Sequence, residues 1–150
     1  MKEYSIFYAD DDEDDLMFFE EAVYSLSGDE AVKINLHLVK NGENLLEVIS
    51  QTAANNSVVF MDLNMPAKSG FEHLEDIRSN SLVATTPVIM YSTSADKQNI
   101  EKSKKLGANY YAIKPSSFRD IIKLISKALS LDFNTDTAPP NDFLLNKLAI

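Results

Sequence analysis

Short runs of apolar residues alternate along the chain with segments in which apolar residues recur every three or four positions. The runs have the length and composition of β-strands, and the intervening segments have the spacing of amphipathic helices. Strands are predicted at residues 4–9, 32–39, 57–61, 87–91 and 109–113. Helices are predicted at about residues 13–26, 45–49, 71–77, 97–106 and 117–129.

This alternation is typical of α/β proteins, in which a parallel sheet carries helices on both faces. The run at residues 57–61 is apolar throughout, as expected for a strand that is covered on both sides. We therefore predict a doubly wound, five-stranded parallel sheet. In such sheets ligands bind at the carboxyl edge, where the strands end.

Polar side chains stand at the predicted carboxyl ends of four strands. Asp10 and Asp11 end the first strand, and Asp62 ends the third. Ser92 ends the fourth strand and Lys114 the fifth. Converging carboxylates repel one another unless a cation neutralises them, and their oxygens suit a hard cation such as Mg²⁺. An aspartate can accept a phosphoryl group, and a lysine and a hydroxyl can stabilise its oxygens. These residue types therefore indicate Mg²⁺-assisted phosphoryl transfer to an aspartate.

Composition narrows the classes of function. The chain of 150 residues has a net charge of −9, and residues 1–30 hold eleven Asp or Glu residues against one Lys. Such acidity disfavours binding to the phosphates of nucleic acids, and no basic stripe compensates for it. Cysteine is absent, which excludes disulfides and thiolate chemistry. Neither a secretory pattern nor a membrane-spanning run is present. We expect one cytoplasmic domain with no nucleic-acid or membrane partner.

Four motifs occur in order and at suitable spacing: Ile6–Asp11, Val58–Pro66 followed by Gly70, Pro87–Ser92, and Gly107–Pro115. Together they resemble the response-regulator receiver domains of two-component signalling, over residues 4 to about 131. The resemblance implies a flavodoxin-like fold with strand order 2-1-3-4-5 and a receiver domain at residues 1–131. It also implies Mg²⁺ as the cofactor, with Mn²⁺ as an acceptable substitute.

The resemblance further implies roles for individual residues. Asp62 would be the phosphoacceptor, Ser92 would bond the phosphoryl group, and Lys114 would pair with a phosphoryl oxygen. Ser92 and Tyr111 would form a switch, in which the tyrosine ring turns inward when the hydroxyl is drawn to the phosphate. The Lys114–Pro115 peptide bond would be cis. The metal ligands would be Asp10, Asp11, Asp62 and the backbone carbonyl of Asn64.

In function, the resemblance implies a single-domain response regulator. It would accept its phosphoryl group from a sensor histidine kinase or a histidine phosphotransfer protein, and signal by protein contact. We expect a phosphoacceptor rather than an enzyme, with Mg²⁺-dependent self-phosphorylation and autodephosphorylation. A downstream partner is expected to bind residues 97–130, which Lys102, Lys104 and Lys105 make locally basic. A monomer or a weak homodimer is expected.

Three alternatives remain at this point. The chain could be a phosphorelay intermediate that passes the phosphoryl group on. It could be a pseudo-receiver that binds partners without phosphorylation, although every expected site residue is present. A phosphohydrolase of the haloacid-dehalogenase type also uses an aspartate nucleophile with a serine and a lysine. That class needs a further acid pair after the lysine, and it leaves the motif from Asp62 to Pro66 unexplained.

Residues 132–150 are predicted to be a linker and a short C-terminal tail. Residues 132–140 are polar and end in two prolines. Asn141 and Asp142 then precede a group of apolar residues, and this pattern predicts a short capped amphipathic helix. The tail either folds back onto its own domain or contacts another molecule. Our hypothesis is that it supports dimerisation or docking. The apolar group consists of Phe143, Leu144, Leu145 and Leu148.

Overall fold

The computed structural model describes residues 2–28, 32–52, 56–133 and 142–146. Strands and helices alternate strictly within these residues. The strands are β1 (Lys2–Asp10), β2 (Val32–Lys40), β3 (Ser57–Met61), β4 (Val88–Ser92) and β5 (Tyr110–Ile113). The helices are α1 (Glu13–Ser27), α2 (Leu45–Gln51), α3 (Gly70–Ser79), α4 (Lys97–Lys105) and α5 (Phe118–Leu129).

The strands form one parallel sheet in the order β2-β1-β3-β4-β5, which confirms the predicted fold. The chain moves outward from β1 to β2, then returns to place β3 on the other side of β1. The order therefore reverses between β1 and β3, and ligands of doubly wound sheets bind at such a switch point. Asp10 is the last residue of β1, and Asp62 directly follows β3.

A buried apolar layer covers each face of the sheet. Successive side chains of a strand point to opposite faces, so neighbouring residues of β1 join different layers. Phe7 packs in the layer that also contains α2 and α3 residues, whereas Ile6 and Tyr8 pack in the layer that contains α1 and α5 residues. The sheet is thereby fixed between two helical layers, and its carboxyl edge is left for polar residues.

Side-chain caps fix the starts of four helices. Asp12 caps α1, where its Oδ1 accepts hydrogen bonds from the backbone N–H groups of Asp14 at 2.8 Å and Asp15 at 3.1 Å. Such caps satisfy amide groups that the first turn of a helix leaves unpaired. The capping residues of α3, α4 and α5 are Ser69, Asp96 and Ser117.

The C-terminal segment differs from its prediction. Residues 143–146 are not helical, and Leu144 forms a parallel bridge with Tyr111 of β5. The helix prediction is therefore wrong for this segment, and residues 134–141 and 147–150 lie outside the described residues. The reason is that β5 is an edge strand. An edge strand offers unpaired backbone groups, and a very short helix is too costly to nucleate to compete with that pairing.

Among the described helices, none has the length and apolar character that a bilayer crossing requires.

Candidate functional site

Three carboxylates meet at the carboxyl edge of the sheet. The adjacent strands β1 and β3 bring Asp10, Asp11 and Asp62 together, and one oxygen of each lies within 4.8 Å of the others. Asp10 is fully buried, and Asp62 is 6% exposed. The sequence predicted this convergence from the strand ends.

Lys114 supplies the positive charge beside these acids. Its Nζ lies 2.8 Å from Oδ2 of Asp10 and 3.2 Å from Oδ1 of Asp62. It also donates a hydrogen bond of 2.9 Å to Oδ2 of Asp15, in the first turn of α1. The Lys114 backbone N–H donates to the carbonyl of Ser92 at 2.8 Å, so the end of β5 is held against the end of β4. Asp15 was not predicted as a site residue.

Asp10 accepts hydrogen bonds from three sides. The Tyr8 hydroxyl and the Lys114 ammonium donate to Oδ2, and the Asp12 backbone N–H donates to Oδ1 at 2.9 Å. Burial alone would raise the pKa of Asp10, but these hydrogen bonds outweigh it and lower the pKa. Asp10 is therefore ionised in a fully buried position. Sequence reasoning did not identify Tyr8, although the two-residue spacing places both side chains on one face of β1.

Asp62 has the opposite electrostatic balance. Burial is the main cause that raises its pKa to about 7, and the charges of Asp10 and Asp11 add to the effect. The attraction of Lys114 offsets only part of this rise. Asp62 is therefore harder to ionise than an ordinary aspartate. Additional positive charge at this edge would favour its ionised, nucleophilic form.

Ser92 ends β4, the strand that neighbours β3, and Tyr111 lies in β5. Ser92 is 1% exposed, and its Oγ accepts a hydrogen bond from the N–H of Ser94 at 3.1 Å. The Tyr111 ring is fully buried, and its hydroxyl donates to the carbonyl of Ser94 at 2.7 Å. Both predicted switch residues are therefore connected through Ser94.

The loop between β3 and α3 is held close to Asp62. The Gly70 N–H donates to the carbonyl of Leu63 at 2.8 Å, and a side chain at Gly70 would overlap the Asp62 carbonyl oxygen. The loop contains Asn64, whose carbonyl was predicted as a metal ligand; that role remains a prediction. In the same loop Ala67 has a φ of 67°, in the left-handed region.

The predicted cis bond between Lys114 and Pro115 is wrong for this structure, because no peptide bond within the described residues is cis. Trans is the preferred form even before proline. The Lys114 side chain reaches Asp10 and Asp62 from this trans backbone.

The donor set fits a hard divalent cation. Three carboxylates converge in a largely buried position, where like charges are costly unless a cation neutralises them. Carboxylate oxygens are the ligands that Mg²⁺ and Mn²⁺ accept in proteins. Asp10, Asp11 and Asp62 would hold such an ion.

Fold and site together define a doubly wound α/β protein with an acidic, lysine-bearing pocket at its topological switch point. The family model for the response regulator receiver domain matches residues 6–126, and the chain belongs to this family. Receiver domains bind Mg²⁺ or Mn²⁺ at an acidic pocket, and they interact with histidine kinases or phosphotransfer proteins and with downstream targets.

Two curated relatives illustrate the similarity. Response regulator Rcp1 of Synechocystis is 30% identical over 83 residues, which cover 55% of this chain and 56% of Rcp1. Regulatory protein AtoC of Escherichia coli is 29% identical over 121 residues, covering 81% of this chain and 24% of AtoC. The chain thus spans about half, or less, of the length of these relatives.

Solved structures show the same fold. Response regulator RPA3017, described in red light signalling of R. palustris, has a TM-score of 0.72 at 26% identity, covering 90% of this chain and 97% of its own. The Mn²⁺-bound form of response regulator Rcp1 has a TM-score of 0.68 at 23% identity, and the match covers 90% of this chain and 98% of the Rcp1 chain.

Proposed function

We propose that this receiver domain accepts a phosphoryl group on Asp62 from a phosphohistidine of a sensor kinase or a phosphotransfer protein, and signals through protein contact. The observation that carries the proposal is the position of Asp62. Asp62 is 6% exposed, its Oδ1 lies 3.2 Å from Nζ of Lys114, and it shares a candidate cation site with Asp10 and Asp11.

In the proposed reaction, a carboxylate oxygen of Asp62 attacks the phosphorus atom. The bond between phosphorus and the donor imidazole nitrogen breaks, and that nitrogen keeps the electron pair and takes up a proton. Lys114 would pair with a phosphoryl oxygen, and Ser92 would donate a hydrogen bond to another. A bound Mg²⁺ would supply additional positive charge for the phosphoryl oxygens. The same site would also favour transfer of the phosphoryl group from Asp62 to water, which is autodephosphorylation.

We also propose the surface of residues 97–130 as the contact for a downstream protein. Lys102, Lys104 and Lys105 lie exposed on α4, and this positive charge suits an acidic partner. Reversing the three charges is expected to weaken partner binding and leave phosphorylation of Asp62 unchanged. Unaltered partner binding by the reversed variant would refute this part of the proposal.

Intact mass tests the phosphoacceptor directly. The protein is incubated with acetyl phosphate, with and without Mg²⁺, as wild type and as Asp62→Asn. We expect one phosphoryl adduct that requires Mg²⁺ and is absent from the variant. If the wild type forms no adduct and binds no beryllofluoride, the chain is a pseudo-receiver. If donor turnover survives Asp62→Asn and is lost in Asp10→Asn, the chain is a hydrolase.

A further inference from the structure

The free edge of β5 is occupied by the chain's own C-terminal segment, residues 143–146. The backbone N–H of Tyr111 donates to the carbonyl of Phe143 at 2.9 Å, and the N–H of Leu145 donates to the carbonyl of Tyr111 at 2.8 Å. The segment therefore runs parallel to β5, and its backbone hydrogen bonds are centred on Tyr111.

Two side chains continue this pairing. Asn146 donates from Nδ2 to the carbonyl of Ile113 and accepts from the N–H of Ile113 at Oδ1, both at 2.8 Å. Lys127 of α5 donates to the carbonyl of Leu145 at 2.7 Å. The amide of Asn146 thus takes the place that a further strand residue would have.

The segment is also anchored by apolar burial on both faces of the sheet. Phe143 and Leu145 are each 5% exposed, and they belong to different apolar layers. Phe143 lies in the layer that contains the Tyr111 ring. Docking of the segment therefore bonds the Tyr111 backbone and completes the apolar layer in which the Tyr111 ring lies.

Tyr111 connects the segment to the acidic site. Its hydroxyl bonds the carbonyl of Ser94, and the N–H of Ser94 bonds Oγ of Ser92 at the end of β4. A docked segment that keeps the Tyr111 ring buried therefore also stabilises the hydrogen bonds that connect Tyr111 through Ser94 to Ser92.

We propose that residues 143–146 are an intrachain ligand of the β5 edge, which positions Tyr111 and couples this edge to Asp62. The inference rests on the proposed function, in which phosphorylation favours the inward ring of Tyr111. Docking and phosphorylation then favour the same state, so each strengthens the other by the same factor. A partner that binds across β5 meets this segment as part of its surface.

Amide hydrogen exchange of the full chain measures docking directly, because the N–H groups of Tyr111 and Leu145 are bonded only while the segment is docked. We expect Mg²⁺ with beryllofluoride, an analogue of the phosphoryl group, to slow exchange at both amides by about fivefold or more. Equal rates with and without beryllofluoride, in protein that binds it, would overturn the inference. Protection that is lost on dilution would assign the docked segment to a second copy, which would overturn it as well.

A matched pair of variants gives the reciprocal measurement. Phe143→Ala removes a buried ring from the layer that contains the Tyr111 ring, and we expect it to weaken beryllofluoride binding about three- to tenfold. Phe133→Ala removes an aromatic ring that packs on Tyr110 in the other layer, with ring centroids 5.9 Å apart, and is expected to change binding less than twofold. Equal effects of the two variants would contradict the inference. If Phe143→Ala does not fold, the exchange measurement on the wild type decides. Failure of the wild type to bind beryllofluoride or to form the adduct would instead refute the proposed function.

Discussion

Nζ of Lys114 lies 2.8 Å from Oδ2 of Asp10, although 104 positions separate the two residues in the sequence. The strand order accounts for this contact. β1 lies inside the sheet with β3 and β4 between it and β5, and the right-handed twist of the sheet lets a long side chain from the end of β5 reach back across the edge. Lys114 is thus the cation for Asp10 and Asp62 in the absence of metal.

Replacing Lys114 by Met is expected to lower the free energy of unfolding by about 3 kcal/mol in metal-free buffer, because it leaves buried carboxylates without their cation. Mg²⁺ should restore part of this loss, since it would bind the same carboxylates in the folded state. Urea denaturation with EDTA and with Mg²⁺ measures both effects. Lys40→Met is the control: it breaks an exposed ion pair with Glu13 and should leave the midpoint unchanged. Equal midpoints for the wild type and Lys114→Met would contradict the prediction.

The hydroxyl of Tyr8 is expected to orient Asp10 for metal binding. Removing such a partner of a metal ligand typically costs at least about tenfold in affinity. We therefore expect Tyr8→Phe to weaken Mg²⁺ binding by about tenfold, as measured by isothermal titration calorimetry on the unphosphorylated protein. Tyr91→Phe is the matched control, because Tyr91 is buried in the same group of aromatic rings. The prediction fails if both variants bind Mg²⁺ as the wild type does.

Much of the site could be predicted because strand ends are visible in the sequence. The apolar runs before Asp62 and Lys114 end abruptly, and parallel topology places those ends at one edge. Strand order, in contrast, came from the family resemblance. The contacts of Tyr8 and Asp15 were missed because they depend on side-chain reach within the folded site, which periodicity does not report.

The tail shows why short segments are harder to predict. The apolar residues from Phe143 to Leu148 fit a helical spacing, but a segment this short can instead pair with an exposed sheet edge. The unpaired edge of β5 decides between the two in the described residues, and that edge exists only once the sheet has formed. Local pattern alone could not distinguish these outcomes.

The raised pKa of Asp62 makes the stability of the metal-free protein depend on pH. An acid whose pKa is about 7 when folded and near 4 when unfolded binds more protons in the folded state between these values. Its contribution to stability is therefore complete below pH 4 and is lost as the pH rises through 7. Asp62→Asn removes this loss. We expect the advantage of the variant over the wild type to grow by about 2.6 kcal/mol between pH 5 and pH 8. The comparison requires metal-free buffer, because a bound cation would stabilise the ionised carboxylate. A constant difference from pH 5 to pH 8 would exclude Asp62 as the titrating group.

Ala67, in the loop after β3, and Gly70, at the start of α3, should respond in opposite directions to exchange of alanine and glycine. Gly70→Ala places a methyl group against the Asp62 carbonyl oxygen, so α3 must move away; we expect a loss of about 2 kcal/mol and slower phosphorylation of Asp62. Ala67→Gly relieves a left-handed residue with a φ of 67°. The steric relief exceeds the entropy that glycine adds to the unfolded chain, so we expect a gain of about 0.5 kcal/mol. Urea denaturation of both variants, with the rate of adduct formation from acetyl phosphate, tests the pair. If both substitutions changed the free energy of unfolding in the same direction, the backbone conformation at Ala67 and the close approach of Gly70 to Asp62 would not determine the stability of this region.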